Sequence, residues 1–142
     1  MNTVVHATAC LCKASVAQAL SHLTQAQGMA KWVLGLQGCR EVEPGLFTGS
    51  SLFDGAEGWV RVKMLPRSGE IEYQVGATPD RLVARIHARV TAGEALGYEV
   101  GTCLIILQAS RPSGMDDQRW RRLVVAHETE IELIRAQLEA GA

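Results

Sequence analysis

The residue whose type and place most invite chemistry is His127. It sits in a run of Trp120, Leu123, Val124, His127, Ile131, Ile134 and Leu138, which recur at three- and four-residue steps. At about 100° per residue these side chains fall within roughly 60° either side of one line, and that line passes through His127. An imidazole held on an apolar helical stripe is desolvated, which favours its neutral form. Neutral imidazole can take up or release a proton, or orient a ligand carbonyl. The plainer use of the same placement is a core histidine tied to a backbone or side-chain partner. Glu130 lies at the edge of the stripe and is expected to face solvent.

The other candidates come from strand parity. Tyr73 shares parity with Ile71 and Val75, so it is expected to point inward with a hydroxyl that needs a partner. Tyr98 shares parity with Val100, Thr102 and Leu104 and is placed inward by the same argument. Trp32 and Trp120 could line a pocket or simply plug the core. Trp59 has the parity of Arg61 and Lys63, which puts it on the outer face or over a bent edge. Arg85, His87 and Arg89 alternate with Leu82, Ala84, Ile86, Ala88 and Val90 and read as a solvated face opposed by Glu70 and Glu72. His6 and Cys10 share the mixed face of the first strand, opposite an apolar face of Val5, Ala7, Ala9 and Leu11. No Ser-His-Asp or Cys-His arrangement is legible. Pro66-Arg67-Ser68-Gly69 is a hairpin turn, not a phosphate loop.

Cys10, Cys12, Cys39 and Cys103 show no C-x-x-C spacing. A bridge between Cys10 and Cys12, two apart on a strand, would be strained. They are expected to be reduced and mostly buried, as in a cytoplasmic protein, with no metal and no cofactor. The chain of 142 residues is read as one domain, 1–142, and it is long enough to bury a core unaided. With 47% hydrophobic and 20% charged residues it is globular. A net charge of -1 gives no general attraction to nucleic acid or anionic lipid. The N-terminus lacks a signal-peptide pattern, and Leu104-Ile105-Ile106-Leu107 is too short to cross a bilayer.

These residues need elements to position them. Residues 3–12 alternate as a strand. Ser15 can cap a short helix carrying Val16, Ala19, Leu20 and Leu23. Thr24 is a second cap candidate before Ala26, Met29, Ala30, Trp32 and Val33, with Gly28 as a weak point in that helix. From Leu36 to Ala109 turn signals arrive at regular intervals between alternating segments, as in an antiparallel meander with one wet face. The last quarter, Asp116 to Ala140, is one long amphipathic helix. Ser113 with Asp116 resembles a capping box, and Gly141 suits the C-terminal end.

The order is strand, two short helices, six hairpin-linked strands and one long C-terminal helix. With Ala14-Ser15-Val16-Ala17-Gln18-Ala19-Leu20 entering the first helix and Met29-Ala30-Lys31-Trp32 closing the second, it resembles the SRPBCC superfamily. That group includes START lipid-transfer domains, polyketide cyclases and heat-shock ATPase activator homologues. The resemblance implies an α+β helix-grip fold, a seven-stranded curved antiparallel sheet gripping the terminal helix with a cavity between them. Members place their ligand groups at different cavity positions, so no catalytic residue carries over. The reading that follows first is a binding module for a small hydrophobic or amphipathic molecule, lipid or polyketide-like, touching His127, Tyr73, Trp120, Tyr98 and Trp32. The second is a cyclase, dehydratase or hydrolase with His127 as acid or base and Tyr73 as orienter. The third is a module acting on a partner protein.

Overall fold

The computed structural model describes residues 3–65 and 67–141. Met1 and Asn2, Pro66 of the expected turn, and Ala142 lie outside the described residues. Strand β1 (Val5–Cys12) is followed by helices α1 (Val16–Thr24) and α2 (Ala26–Trp32). Strands β2 (Gln37–Glu43), β3 (Leu46–Ser50), β4 (Glu57–Leu65), β5 (Glu70–Gly76) and β6 (Val83–Ala92) come next. A 3-10 turn at Gly93–Leu96 leads to β7 (Cys103–Ser110), and helix α3 (Asp117–Glu139) closes the chain. The strands form one seven-stranded sheet in the order β1-β7-β6-β5-β4-β3-β2, antiparallel throughout. The sheet is curved and α3 packs on it, as the alternation and the helical stripe imply.

Local chemistry sets the helix ends. Ser15 and Gln18 form a reciprocal capping box, with Ser15 Oγ accepting from the Gln18 amide at 3.1 Å and Gln18 Oε1 accepting from the Ser15 amide at 2.9 Å. Thr24 does not cap α2. It is still the last residue of α1, and its hydroxyl donates to the Leu20 carbonyl at 2.7 Å. Gln25 takes the cap position without a side-chain bond. Gly28 does not break α2, and it has a packing reason: a Cβ there would lie 2.1 Å from the His22 carbonyl oxygen. Bare backbone is what lets α2 fold back against the end of α1. At α3, Asp116 itself caps by accepting from the Arg119 amide at 2.8 Å, in place of the expected Ser113–Asp116 box. Gly141 follows α3 at φ +89°, the left-handed conformation suited to a helix end.

The first strand turns its mixed face inward. Val5, Ala7, Ala9 and Leu11 are exposed, whereas Cys10 and Cys12 are buried and His6 and Thr8 half-buried. The reason is α3, which packs against β1. Glu128 of α3 meets His6 Nε2 at 2.8 Å and Thr8 Oγ1 at 3.3 Å, and the small thiols below them leave room for the helix. The core centres on Leu23, Met29, Leu36, Ile71, Ile105, Leu107 and Ile134, all fully buried. Burying such side chains supplies most of the stabilisation a chain of this size has.

Candidate functional site

Between α3 and the sheet lies a cavity of about 620 Å³. Its deep wall is made of buried Met29, Trp32, Leu36, Val60, Tyr73 and Leu107. Lining residues that are themselves exposed mark the opening, among them Phe53, Glu57, Arg81, Val83, Ser113 and Arg119. The opening is thus built by the β3–β4 and β5–β6 connections and the start of α3.

His127 lines this cavity and is 4% exposed. Burial, then the nearby His6 and Arg85, push its pKa down to about 4, so the imidazole is neutral at neutral pH. It is not tied to the main chain: Nδ1 is buried with no partner. Its Nε2 stands 3.9 Å from Glu130 Oε1, too far for a hydrogen bond.

Glu130, expected at solvent, is 5% exposed and lines the same cavity. Its Oε2 accepts from the Leu34 amide at 2.9 Å. Burial raises its pKa to about 8 against the opposing pull of that bond, so the carboxyl is largely protonated at neutral pH. The spacing to His127, three residues on, was the available signal, since i and i+3 share a helix face. What could not be read was the amide of Leu34 just beyond α2, which gives the carboxyl an inward partner. Together the two side chains present a neutral acceptor and a neutral acid to one space.

Tyr73 points inward as its parity implies, but its hydroxyl donates to the Leu23 carbonyl at 2.7 Å. Burial holds its pKa far above the usual range. It forms cavity wall with Trp32, edge to face at 6.2 Å, rather than offering a free donor. Trp32 is pinned by its own Nε1, which donates to the His22 carbonyl at 3.1 Å.

Trp120 is buried but outside the cavity lining; its Nε1 donates to Thr3 Oγ1 at 3.1 Å and Arg111 lies over the ring at 6.0 Å. Tyr98 is 52% exposed and also outside the lining. Its amide closes the 3-10 turn on the Gly93 carbonyl, and β7 begins only at Cys103, so strand parity does not extend back to it. Trp59 is half-buried and lines the cavity beside Gly58, in place of standing on the outer face.

Arg85 departs most from the alternation. The β5–β6 register runs Tyr73 to Ile86 and then Gln74 to Ala84, which leaves Arg85 as the extra residue of a bulge. A bulge re-aims the side chain it carries, and Arg85 joins Ile86 in the cavity lining. Its Nη1 is buried with no partner. Burial, then Arg119, lower its pKa. Beyond the bulge the alternation holds, with His87 4.0 Å from Glu72 and Arg89 4.0 Å from Glu70 of β5. Among the described residues no group of His, Cys, Asp or Glu side chains is placed to hold a metal ion. No helix among them is long and apolar enough to cross a membrane.

No protein-family model matches the chain, and no curated protein matches it in sequence. Solved structures do resemble it. The Aha1 dimer from Colwellia psychrerythraea is 16% identical, with 98% of each chain covered and a TM-score of 0.72. A START superfamily protein from Mycobacterium smegmatis is 10% identical, with 97% of this chain and 96% of that chain covered and a TM-score of 0.64. The di-domain ARO/CYC BexL from the BE-7585A biosynthetic pathway is 16% identical at a TM-score of 0.70; the match takes in 96% of this chain but 47% of that one. At these identities the likeness speaks for architecture, and it agrees with the strand order and terminal helix described above. The chain has a helix-grip α+β fold of the kind these solved structures share.

Proposed function

We propose that this protein binds a small hydrophobic or amphipathic molecule, lipid-like or polyketide-like, in the space between α3 and the sheet. The observation that carries this reading is an open volume of about 620 Å³ beside a core whose large side chains are otherwise fully buried. Ligand pockets commonly fall in the range of roughly 300–1,000 Å³, apolar with a few polar groups. Met29, Trp32, Tyr73 and Leu107 would hold the apolar body, and His127 and Glu130 would meet its polar atoms. Structural likeness to a START protein and to an ARO/CYC protein supports the same reading. The free cysteines, of which Cys10, Cys12 and Cys103 are buried, support placing it in a reducing cytoplasm. Titration with an environment-sensitive naphthalene fluorophore tests the proposal. Saturable binding with a blue-shifted emission, competed by fatty acids or aromatic polyketides, is expected. Absence of binding by every such probe would overturn it.

A second reading is favoured by the pairing of His127 with Glu130. A neutral imidazole can remove a proton from carbon or oxygen of a bound ligand, while the protonated carboxyl of Glu130 donates to a ligand carbonyl or departing hydroxyl. The proton lost to His127 and the one given by Glu130 balance, as a cyclisation or dehydration requires. A ligand turned over by the wild type but only bound by His127→Gln would support this step.

A further inference from the structure

We propose that the head group recognised in this cavity is a carboxylate, gripped by the bulged Arg85 of β6 with His127 of α3 as the second donor. This rests on the binding reading above and narrows the ligand to an organic monoanion.

The argument begins with the bulge. Regular pairing would have sent Arg85 to solvent beside His87 and Arg89. The inserted residue between Tyr73↔Ile86 and Gln74↔Ala84 places it in the cavity lining instead. There the guanidinium has no carboxylate partner among the described residues, and Nη1 is buried without an acceptor. A buried donor left unmade costs stability, and a guanidinium more than most. Across the cavity His127 Nδ1 is orphaned in the same way. The guanidinium nitrogen asks for an acceptor that the chain does not supply, and the imidazole nitrogen donates to the same acceptor in its Nδ1–H tautomer.

The charge around them agrees. Arg81 and Arg119 line the opening without an ion pair among the described residues, whereas Arg122 is engaged by Asp54 at 3.4 Å. The acidic members of the lining are Glu57 at the exposed rim and the buried Glu130, whose carboxyl is protonated. An anion entering past Arg81 and Arg119 therefore meets favourable potential along its path. The planar fork of a guanidinium matches a carboxylate through paired N–H···O bonds. Glu57 at the rim opposes a dianion such as a phosphate monoester more than a monoanion. The apolar remainder of the ligand then lies against Trp32, Met29 and Leu107.

The experiment uses the full chain and matched probes: decanoate, decan-1-ol and decyl phosphate, with 2-naphthoate and 2-naphthalenemethanol as an aromatic pair, followed by calorimetry at constant ionic strength. Wild-type protein is expected to bind each carboxylate roughly 10- to 100-fold more tightly than its alcohol, as a charge-assisted bond allows. Arg85→Met is expected to erase that preference while leaving alcohol binding within about threefold. Arg89→Gln, which removes the same charge from the outward side of the same strand, is expected to keep it. Should Arg85→Met not fold, Arg85→Lys keeps the charge without the fork, and a preference reduced but not lost is expected. If alcohols bind the wild type as tightly as carboxylates, or decyl phosphate binds more tightly, the head-group assignment is wrong and the cavity reading survives. If no probe binds at all, the cavity reading falls with it.

Discussion

Inside the cavity wall, protonation runs against solution habit at two residues of one helix face, and the consequences for stability have opposite signs. Glu130 is raised from 4.5 to about 8, so the folded chain holds a proton that the unfolded chain releases above 4.5. Its contribution is full below pH 4.5 and is lost as pH rises through about 8. His127 is lowered from 6.5 to about 4, so the unfolded chain takes up a proton first and stability falls as pH drops through that window. Glu130→Gln keeps the acceptor for the Leu34 amide but cannot ionise. Its melting temperature is expected to decline less than that of the wild type between pH 4.5 and 8; parallel curves by circular dichroism would contradict the assignment. The thiols offer a second check at this scale. Burial raises Cys10 to about 12 and Cys103 to about 11, and Cys12 is fully buried and also raised. Only Cys39 is half-buried. Under native conditions Cys39 is expected to react first with an aromatic disulfide reagent, with the others following only at the rate of unfolding.

Elements hold these residues through contacts that tolerate little change. Helix α3 buries Trp120, Ile131, Ile134 and Leu138 against the sheet and α1. Ile134→Ala, at a fully buried position, is expected to lose about 2–5 kcal/mol in urea denaturation. Net stability for such a chain is only about 5–15 kcal/mol. The α1–α2 corner depends on Gly28, where a methyl group would collide with backbone and not with a movable side chain. Gly28→Ala is expected to lose about 1–3 kcal/mol, although alanine has the higher helix propensity. A neutral or stabilising result would mean that the close approach of α2 to His22 is not needed. The β6 bulge works at the same scale: it leaves Tyr73 and Val75 facing inward on β5 while turning Arg85 from the wet face to the cavity.

For the molecule as a whole, the open volume between α3 and the sheet is what the proposed binding rests on. Ala126 lines it from α3, so Ala126→Phe is expected to reduce fluorophore binding by tenfold or more, with the melting temperature unchanged or raised. Unaltered binding would place the fluorophore elsewhere. Sequence alone determined the succession of elements along the chain, the turns between strands, the capped first helix and the long terminal one, because hydrophobic period and turn chemistry are local properties. It also placed His127 at the centre of the buried stripe and Tyr73 inward. It did not determine which face of β1 is inner, since that depends on how closely α3 sits above the small thiols. Nor could it place Glu130, Arg85 or Tyr98. Glu130 turns on the Leu34 amide, distant along the chain. Arg85 turns on a register shift between two strands that alternation along either one cannot reveal. Tyr98 turns on where β7 begins. The first two are settled by contacts between different segments of the chain, and the polar character of the cavity was therefore decided only when the sheet closed around its helix.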